Sequence, residues 1–244
     1  MALTLYQFPI SHYCEKVRFA LDYKGLDYRV VNLLPGLHGR TTLRLAGRSS
    51  VPVLTTDQGK PVQGSAAIIT YLDEVAPQRP LTPLNPAQRQ QALEWERWLD
   101  NGLGVDVRRY CYHHLLPDRR LTSHILSVGG PWYGPLYLRL GYGRLSRTMR
   151  KLMDINEQSA AQSLARIEAA VERLQQHYAQ ADYLVENRFS RADLAAAALL
   201  APLFQPAAYG LPWPEQLPAP LQATTAALGP RLDWARRLYR ECRQ

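Results

Sequence analysis

The sequence contains few cysteines, and those it has are far apart. Cys14, Cys111 and Cys242 are the only three in 244 residues. An odd number at such spacing does not fit a disulfide framework and favours a reducing compartment. Metal sites need several clustered ligands, and none stand beside Cys14 in the sequence, so we expect no metal.

Long apolar runs are also missing. The longest, LAAAALLAPLF at 194–204, is much shorter than the roughly 20 residues that cross a bilayer, and it contains Pro202. The opening letters MALTLYQFPISH have no basic stretch before their apolar residues and no cleavage-type site, which argues against a secretory signal. These absences predict a soluble, cytoplasmic protein with no membrane association.

Acidic residues are nearly absent from one long stretch. The net charge is +8, and residues 108–151 hold nine lysines or arginines against one acid, Asp118, with six tyrosines or tryptophans interleaved. Such a composition can indicate nucleic-acid binding, but no zinc-finger, RRM-type or helix-turn-helix signature accompanies it. We therefore do not expect a nucleic-acid partner. Two interpretations stay open: a solvated basic face, or a cleft for anionic or aromatic small molecules.

The first 77 residues alternate between strand and helix patterns. Their periodicity predicts strands at 3–8 and 28–33, a hairpin of 51–56 with 61–64, helices at 12–24 and 65–76, and a short helix or turn at 40–47. The order β-α-β-(α)-β-β-α predicts one small sheet with helices packed on it.

A proline-rich stretch separates this region from the rest. The segment APQRPLTPLNP at 76–86 has four prolines in eleven residues, which cannot continue a helix or a strand. We interpret 78–86 as a linker. Beyond it the patterns are helical, so the sequence predicts an α/β domain at 1–77 and an all-helical bundle at 87–244.

One helix start in the second domain has a specific signal. FSRADLAAA places Ser190 at an N-cap with Asp193 three residues later, which predicts a capping box. The letters RADLAAAALLAPLF are apolar nearly all round, as expected for a helix in the middle of a bundle. Both features are structural, and we assign them no catalytic role.

The turn ISHYCEKVRFAL at 10–21 offers two candidates for chemistry, Cys14 and Ser11. Cys14 shares a helical stripe with Val17 and Leu21, so we interpret it as a small buried apolar residue. Thiol redox of the C-x-x-C type would need a cysteine where Ser11 stands. Ser11 precedes the helix, where it can cap the first amides or donate a hydrogen bond to an anion held at the helix N-terminus.

Two further pairs of residues fit an extended anionic ligand. Val51-Pro52 lies between a loop and a strand start, where a cis peptide bond can occur and where the backbone groups of Val51 are free of the sheet. Gly64-Ser65 opens the next helix, so its hydroxyl and amides can bind a carboxylate. Ordinary turn and cap chemistry is the alternative for each pair.

These segments together carry a resemblance. FPISHYCEKVRFAL, SSVPVL and GSAAIITYLDE, in this order and spacing, resemble the thioredoxin-like N-terminal domain of cytosolic glutathione transferases, and the helical remainder with FSRADLAAAALLAP resembles their C-terminal domain. The resemblance covers essentially the whole chain. It implies an α/β thioredoxin-like N-terminal domain followed by an all-α helical-bundle C-terminal domain.

The resemblance also implies roles for single residues. Ser11 would contact the glutathione sulfur, Pro52 would be a cis-proline facing the glutathione backbone, and Ser65 would bind the γ-glutamyl carboxylate. The remaining candidates for the glutathione site are Val51, Gly64 and His38. One departure concerns Gly64, because family members usually have an acidic residue or glutamine there.

The resemblance implies a serine-type glutathione transferase, with glutathione as co-substrate and an electrophilic, partly apolar small molecule as the second substrate. The segment 108–151 would help to shape the pocket of that substrate, and the protein would form a homodimer. Two alternatives remain: a non-catalytic or regulatory binding protein of the same fold, or a glutathione-dependent peroxide or disulfide reductase.

Overall fold

The computed structural model describes residues 3–243. Its first part contains a four-stranded sheet in the order β2-β1-β3-β4. Strand β1 (Leu3–Gln7) runs parallel to β2 (Tyr28–Asn32) and antiparallel to β3 (Val53–Thr55), which pairs in turn with antiparallel β4 (Pro61–Gln63). This mixed sheet confirms the predicted α/β class of the N-terminal region.

Three helices accompany the sheet: α1 (His12–Tyr23), α2 (His38–Ala46) and α3 (Ser65–Val75). The uncertain segment at 40–47 is a helix, and it begins two residues earlier than its letters predict. The predicted strand at 51–56 is shorter than expected, because the Val51-Pro52 peptide bond is cis and regular pairing begins only after it.

After α3, every regular element in the described residues is helical. The α-helices are α4 (Pro86–Trp98), α5 (Gly104–Leu115), α6 (Arg119–Ser127), α7 (Gly134–Leu152), α8 (Glu157–Tyr178), α9 (Arg191–Phe204), α10 (Ala219–Leu228) and α11 (Asp233–Cys242). A π-helical turn, Leu99–Leu103, joins α4 to α5, and a 3-10 turn, Gly229–Leu232, precedes α11. The helical architecture of the second region is confirmed, while the boundaries at 77 and 86 stay a prediction.

Helix α9 forms the centre of the helical region. All of its residues except Pro202 are buried. The predicted capping box is present: the backbone N–H of Ser190 donates to Asp193 Oδ2 at 3.0 Å, and Asp193 also accepts from the backbone N–H of Leu184 at 2.7 Å. Across residues 3–243 no helix is both long enough and apolar enough to span a membrane.

A cluster of paired charges joins α1 to the helical region. The Lys16 ammonium lies 2.8 Å from Glu96 Oε1 and 2.8 Å from Asp100 Oδ2, and the Arg191 guanidinium lies 2.7 Å from Glu96 Oε2. Lys16, Glu96 and Arg191 are buried. We call these four residues the paired cluster. Since each charge has an opposite partner, the cluster fixes α1 against α4 and α9.

Candidate active site

A cavity of about 520 Å³ opens beside the start of α1. Its walls come from the first turn of α1, the loop 48–51, helices α5 and α7, and the segment 205–221. Most of the lining is apolar, with side chains such as Leu115, Ile125 and Met149. Concave, largely apolar sites with a few polar groups are where small molecules bind in most proteins.

Ser11 faces this cavity at the N-terminus of α1. Its Oγ accepts a hydrogen bond from the backbone N–H of Cys14 at 3.4 Å, which confirms the predicted capping position. That distance is at the long end of the hydrogen-bond range. The hydroxyl proton is not used in this bond, because the oxygen is the acceptor. Ser11 can therefore donate to an anion in the cavity.

Tyr13 is the other hydroxyl in the first turn of α1 that lines the cavity. Its hydroxyl donates to the backbone carbonyl of Asp100 at 2.6 Å. Burial, followed by the nearby acids Asp100 and Asp106, raises the pKa of Tyr13 against the opposing effect of Arg108. The proton of Tyr13 is already committed, which leaves Ser11 as the available hydroxyl donor in this turn.

Cys14 is fully buried, as the sequence predicts. Burial raises the pKa of its thiol, and the neighbouring Ser11 hydroxyl offsets this only in part. A thiol with a raised pKa is mostly protonated near neutral pH and is a poor nucleophile. Cys14 therefore packs in the core and is not a reactive group.

The turn that carries Ser11 is fastened by residues distant in sequence. Arg18 donates to the backbone carbonyl of Pro9 at 3.1 Å, and the Tyr209 hydroxyl donates to the carbonyl of Ile10 at 2.8 Å. The buried Arg18 is itself paired with Glu15. These contacts hold the Ser11 backbone at the mouth of the cavity.

Val51 lies at the edge of the same cavity. The Val51-Pro52 bond is cis, and within residues 3–243 the backbone N–H and C=O of Val51 make no hydrogen bond. Backbone groups normally need a partner, so those of Val51 are able to pair with an extended ligand. Pro52 is buried behind them and does not line the cavity.

His38 also lines the cavity, but its ring nitrogens are occupied. Nδ1 accepts from the backbone N–H of Gly36 at 3.2 Å, so the proton is on Nε2, which donates to the carbonyl of Ser49 at 3.0 Å. Burial lowers the pKa of His38, which favours the neutral ring. The imidazole thus braces the loop 48–51.

Gly64 and Ser65 lie outside the cavity lining. The backbone N–H of Gly64 donates to the carbonyl of Pro52 at 3.0 Å, which places the start of α3 against the cis-proline. Gly64 has a φ of +98°, so a side chain here would strain the backbone although it would meet no atom within 4 Å. This angle favours glycine at position 64.

Three of the polar residues that line the cavity share one property, an enclosed side-chain nitrogen without a hydrogen-bond partner in residues 3–243: His12, Arg108 and Gln205. His12 Nε2, Arg108 Nε and Gln205 Nε2 are buried atoms with no hydrogen-bond partner among the described residues. We call them the unpaired trio. Positions 12, 108 and 205 are brought together only by the fold, so no local sequence signal could have grouped them.

The basic segment 108–151 divides into a cavity side and an exposed side. Arg108, Cys111, Tyr112, Leu115, Ile125, Leu145, Thr148 and Met149 line the cavity. Arg120, Arg139 and Arg144 are exposed instead. The segment therefore supplies both a wall of the cavity and an exposed basic face, and what the cavity binds stays a prediction. The residues 3–243 hold no group of three or more metal-ligating side chains.

Comparison with known proteins accounts for this arrangement. The sequence pattern of the glutathione S-transferase N-terminal domain matches residues 5–80, and that of the C-terminal domain matches residues 137–218. Together they cover more than half of the chain. The chain belongs to the glutathione S-transferase family. Membership supports a glutathione-related function.

Relatives within the family differ in what they are named for. Protein LigF from Sphingobium sp. is 25% identical over 222 residues, covering 86% of this chain and 82% of LigF. FtsZ-localized protein A from Caulobacter vibrioides is 26% identical over 203 residues, covering 81% and 75%. A probable glutathione S-transferase, MSR-1 from Nicotiana plumbaginifolia, is 32% identical over 111 residues. That match covers 44% of this chain and about half, 49%, of the relative.

Solved glutathione S-transferase structures share the fold along the whole chain. A glutathione S-transferase from Methylobacterium radiotolerans, in complex with glutathione sulfonate, aligns with a TM-score of 0.60 at 22% identity and covers 100% of this chain and 95% of its own. The beta-etherase LigF aligns with a TM-score of 0.62 at 22% identity, covering 99% and 100%. At this identity the likeness shows the fold alone.

Proposed function

We propose that this protein is a glutathione transferase that adds the glutathione thiolate to electrophilic, partly apolar small molecules. The observation that carries the proposal is the Ser11 hydroxyl, which lines the cavity at the start of α1 and whose oxygen accepts from the Cys14 backbone N–H. In this assignment Ser11 stabilises the thiolate by a hydrogen bond and acts without a general base.

The start of α1 supports an anion at this place. A helix N-terminus carries roughly half a positive charge from its aligned peptide dipoles, and α1 is twelve residues long. A cysteine-type thiol has a reference pKa of about 8.5, and both the dipole and a donated hydrogen bond favour its thiolate. The two effects together raise the fraction of nucleophile near neutral pH.

We assign the binding of the rest of the glutathione molecule to protein groups other than Ser11. The free backbone N–H and C=O of Val51 pair with the peptide, and Pro52 supports that edge from behind. The start of α3 at Gly64 and Ser65 takes the γ-glutamyl carboxylate, because the first amides of a helix are natural anion ligands. Both ring nitrogens of His38 have protein partners. His38 therefore contributes to glutathione binding indirectly, because it holds the loop 48–51 in place.

The apolar walls of the cavity are assigned to the second substrate. Leu115, Ile125 and Met149 from the helical region line the same cavity as Ser11. An aromatic or aliphatic body fits such a lining better than a polar one, because its transfer from water is favourable. The reacting carbon is then held beside the sulfur.

The test is the kinetics of Ser11→Ala against a panel of chloronitrobenzenes and isothiocyanates. Removing one donor to a developing or bound anion typically lowers the rate by about a hundredfold, and we expect kcat/KM to fall by that order. Ser11→Thr keeps a hydroxyl and is the matched control, which should retain much more activity. The ultraviolet absorbance of bound thiolate, followed against pH, should show a higher thiol pKa in Ser11→Ala.

Equal rates in the wild type and Ser11→Ala would overturn the assigned role of Ser11. A rate lost in Ser11→Ala and kept in Ser11→Thr, with an unchanged thiolate titration in both, would assign the serine a purely structural role as a helix cap, because threonine also caps helices. Both variants need a check of unfolding free energy, because loss of an N-cap alone costs about 1 kcal/mol.

We also propose a two-fold homodimer in which the small domain of one subunit faces the helical region of the other, as the family resemblance implies. Sedimentation equilibrium should give twice the mass of one 27.7 kDa chain. A mass equal to that of a single chain at micromolar protein would contradict this arrangement.

A second candidate function is a non-catalytic binding protein of the same fold. It is supported by the exposed apolar side chains Trp132, Leu136 and Leu140, of which Trp132 is 91% exposed. Exposed clusters of this kind are typical of protein–protein contact sites. Calorimetric titration separates the two functions: no heat with millimolar glutathione would favour the binding protein over the transferase.

A further inference from the structure

The unpaired trio is unusual for buried polar groups. Buried nitrogen atoms in folded proteins nearly always have a hydrogen-bond partner, since an unmade bond is costly. His12 is 4% exposed, yet its Nε2 has no partner in residues 3–243, and Arg108 Nε and Gln205 Nε2 share this state. All three residues line one cavity. The two Nη groups of Arg108 also donate no hydrogen bond among the described residues, and they are not among the fully enclosed atoms, so they are the donors that a ligand in the cavity can reach.

Arg108 adds an uncompensated positive charge to that cavity. Within the described chain no carboxylate lies within 4.0 Å of its guanidinium, and its contact with the Tyr13 ring is 5.9 Å to the centroid. The acid on the same helix, Asp106, is engaged by Arg109 at 3.2 Å and by Arg166 at 2.7 Å. Asp106 therefore does not neutralise Arg108, and the matching anion has to come from a ligand.

His12 supplies polarity without a second charge. Burial, followed by the positive charge of Arg108, lowers the pKa of His12 to about 3. A hydrogen bond of the ring to the backbone of Gly104 opposes this shift without reversing it, so the imidazole is neutral near pH 7 and adds no charge. The single positive charge of Arg108 therefore matches a ligand group with one negative charge, and a carboxylate has the planar form that a guanidinium binds through two hydrogen bonds.

The second substrate is the better source of this carboxylate than glutathione. The proposed function places the glutathione peptide along Val51 and its γ-glutamyl carboxylate at the start of α3. Arg108 lies on α5, in the helical region, among the apolar walls assigned to the electrophile. A molecule with an apolar body and one acidic end matches both parts of the lining.

We infer that the preferred electrophiles of this protein carry a carboxylate, which Arg108 binds through charge-assisted hydrogen bonds. This inference rests on the proposed function and adds the substrate class to it. Arg108 is then a specificity-determining residue.

A matched pair of electrophiles tests the inference: a chlorodinitrobenzoate and its methyl ester. In both reactions the glutathione sulfur bonds to the ring carbon, the carbon–chlorine bond breaks, chloride leaves with the electron pair and the thiol proton passes to solvent. The pair differs in charge at a position remote from the reacting carbon. Wild-type protein should show the lower KM for the acid.

The deciding variant is Arg108→Met, with Arg120→Met as its control. Arg120 is exposed on α6, outside the cavity, so its loss changes the net charge alone. Charge-assisted hydrogen bonds correspond to roughly tenfold to a hundredfold in affinity. We expect Arg108→Met to raise the KM of the acid by that factor, with less than about a twofold change for the ester and for glutathione, and Arg120→Met to change none of them.

Three outcomes would overturn the inference. Equal effects of Arg108→Met on acid and ester would show that the guanidinium does not recognise the carboxylate. An increase in the KM of glutathione would place Arg108 on the tripeptide. A matching loss of acid affinity in Arg120→Met would reduce the effect to long-range charge.

A binding measurement that requires no conjugation tests this inference separately from the proposed function. Dinitrobenzoate and its methyl ester, both lacking the leaving chloride, are titrated calorimetrically into wild type and Arg108→Met. Tighter binding of the acid, lost in Arg108→Met, supports the anion site even where no conjugation occurs. If the protein conjugates the electrophiles and neither measurement shows a preference for the acid, the proposed transferase function is kept and the proposed carboxylate site is rejected.

Discussion

Two groups of buried polar side chains touch helix α1, and they differ in how they are satisfied. Lys16 belongs to the paired cluster, in which every charge has an opposite partner at 2.7 to 2.8 Å. His12 lies one helical turn earlier and belongs to the unpaired trio. A buried charge that has an opposite charge beside it inside the protein holds the architecture together. A polar group left unpaired beside a cavity is available to a ligand, and the fold bears the cost of keeping it so.

The largest effect should come from breaking the paired cluster. Glu96→Gln removes the charge that faces both Lys16 and Arg191, which leaves two buried cations with reduced compensation. Breaking a buried ion pair on one side typically costs about 3 to 5 kcal/mol. Urea denaturation should show a decrease of this order in the unfolding free energy.

The matched control for that measurement is Glu94→Gln. Glu94 stands on the same helix α4 but is exposed, and it accepts one hydrogen bond from Gln90 at 2.7 Å. Its loss should cost less than about 1 kcal/mol. Similar losses in the two variants would mean that the paired cluster does not stabilise the fold as its geometry indicates.

A smaller effect should follow from the pH dependence of His12. Its pKa falls from 6.5 to about 3 on folding, because burial and Arg108 disfavour the charged ring. Below pH 6.5 the unfolded chain gains a proton that the folded protein does not accept. The unfolding free energy therefore decreases as pH is lowered from 6.5 towards 3, by about 2 kcal/mol at pH 5 for this group.

Urea unfolding of wild type and His12→Gln at several pH values measures this contribution. The other histidines titrate alike in both proteins, so the difference between the two curves isolates His12. The curve of His12→Gln should be the flatter one between pH 6.5 and 5. Parallel curves would show that His12 is protonated in the folded state, contrary to its burial beside Arg108.

The smallest effect should come from Arg108→Met. Removing an unpaired buried donor and charge relieves a cost of folding, so the unfolding free energy should stay within about 1 kcal/mol of wild type or rise. This outcome is opposite in direction to that of Glu96→Gln. A loss of several kcal/mol in Arg108→Met would show that the two groups of polar side chains do not differ in the way the structure indicates.

The parts of the fold that the sequence predicted well depend on local signals. The Ser190–Asp193 capping box and the cap at Ser11 are set by residues within one helical turn, and both are present. The hairpin around 57–60 follows from its turn residues. The sequence did not predict α5, α6 and α7 as separate helices within 108–151, because the glycines, prolines and basic residues of this segment obscure the apolar periodicity.

The candidate site was predictable only where it lies in short motifs. Ser11, His38 and Val51 line the cavity, whereas Pro52, Gly64 and Ser65 lie outside its lining, and the glutathione contacts of all six stay a prediction. The sequence could not predict the unpaired trio, since its consecutive members are about a hundred positions apart. Its distinguishing property is the absence of hydrogen-bond partners, which exists only once the chain is folded.

The fastening of the Ser11 turn has a consequence for how the protein is made. Tyr209 reaches the carbonyl of Ile10 across 199 positions, and Tyr239 reaches Glu15 across 224. Chains emerge N-terminus first, so Ser11 is synthesised before both tyrosines. The contacts that hold the turn of the candidate site therefore form only after Tyr209 and Tyr239 have been added to the chain.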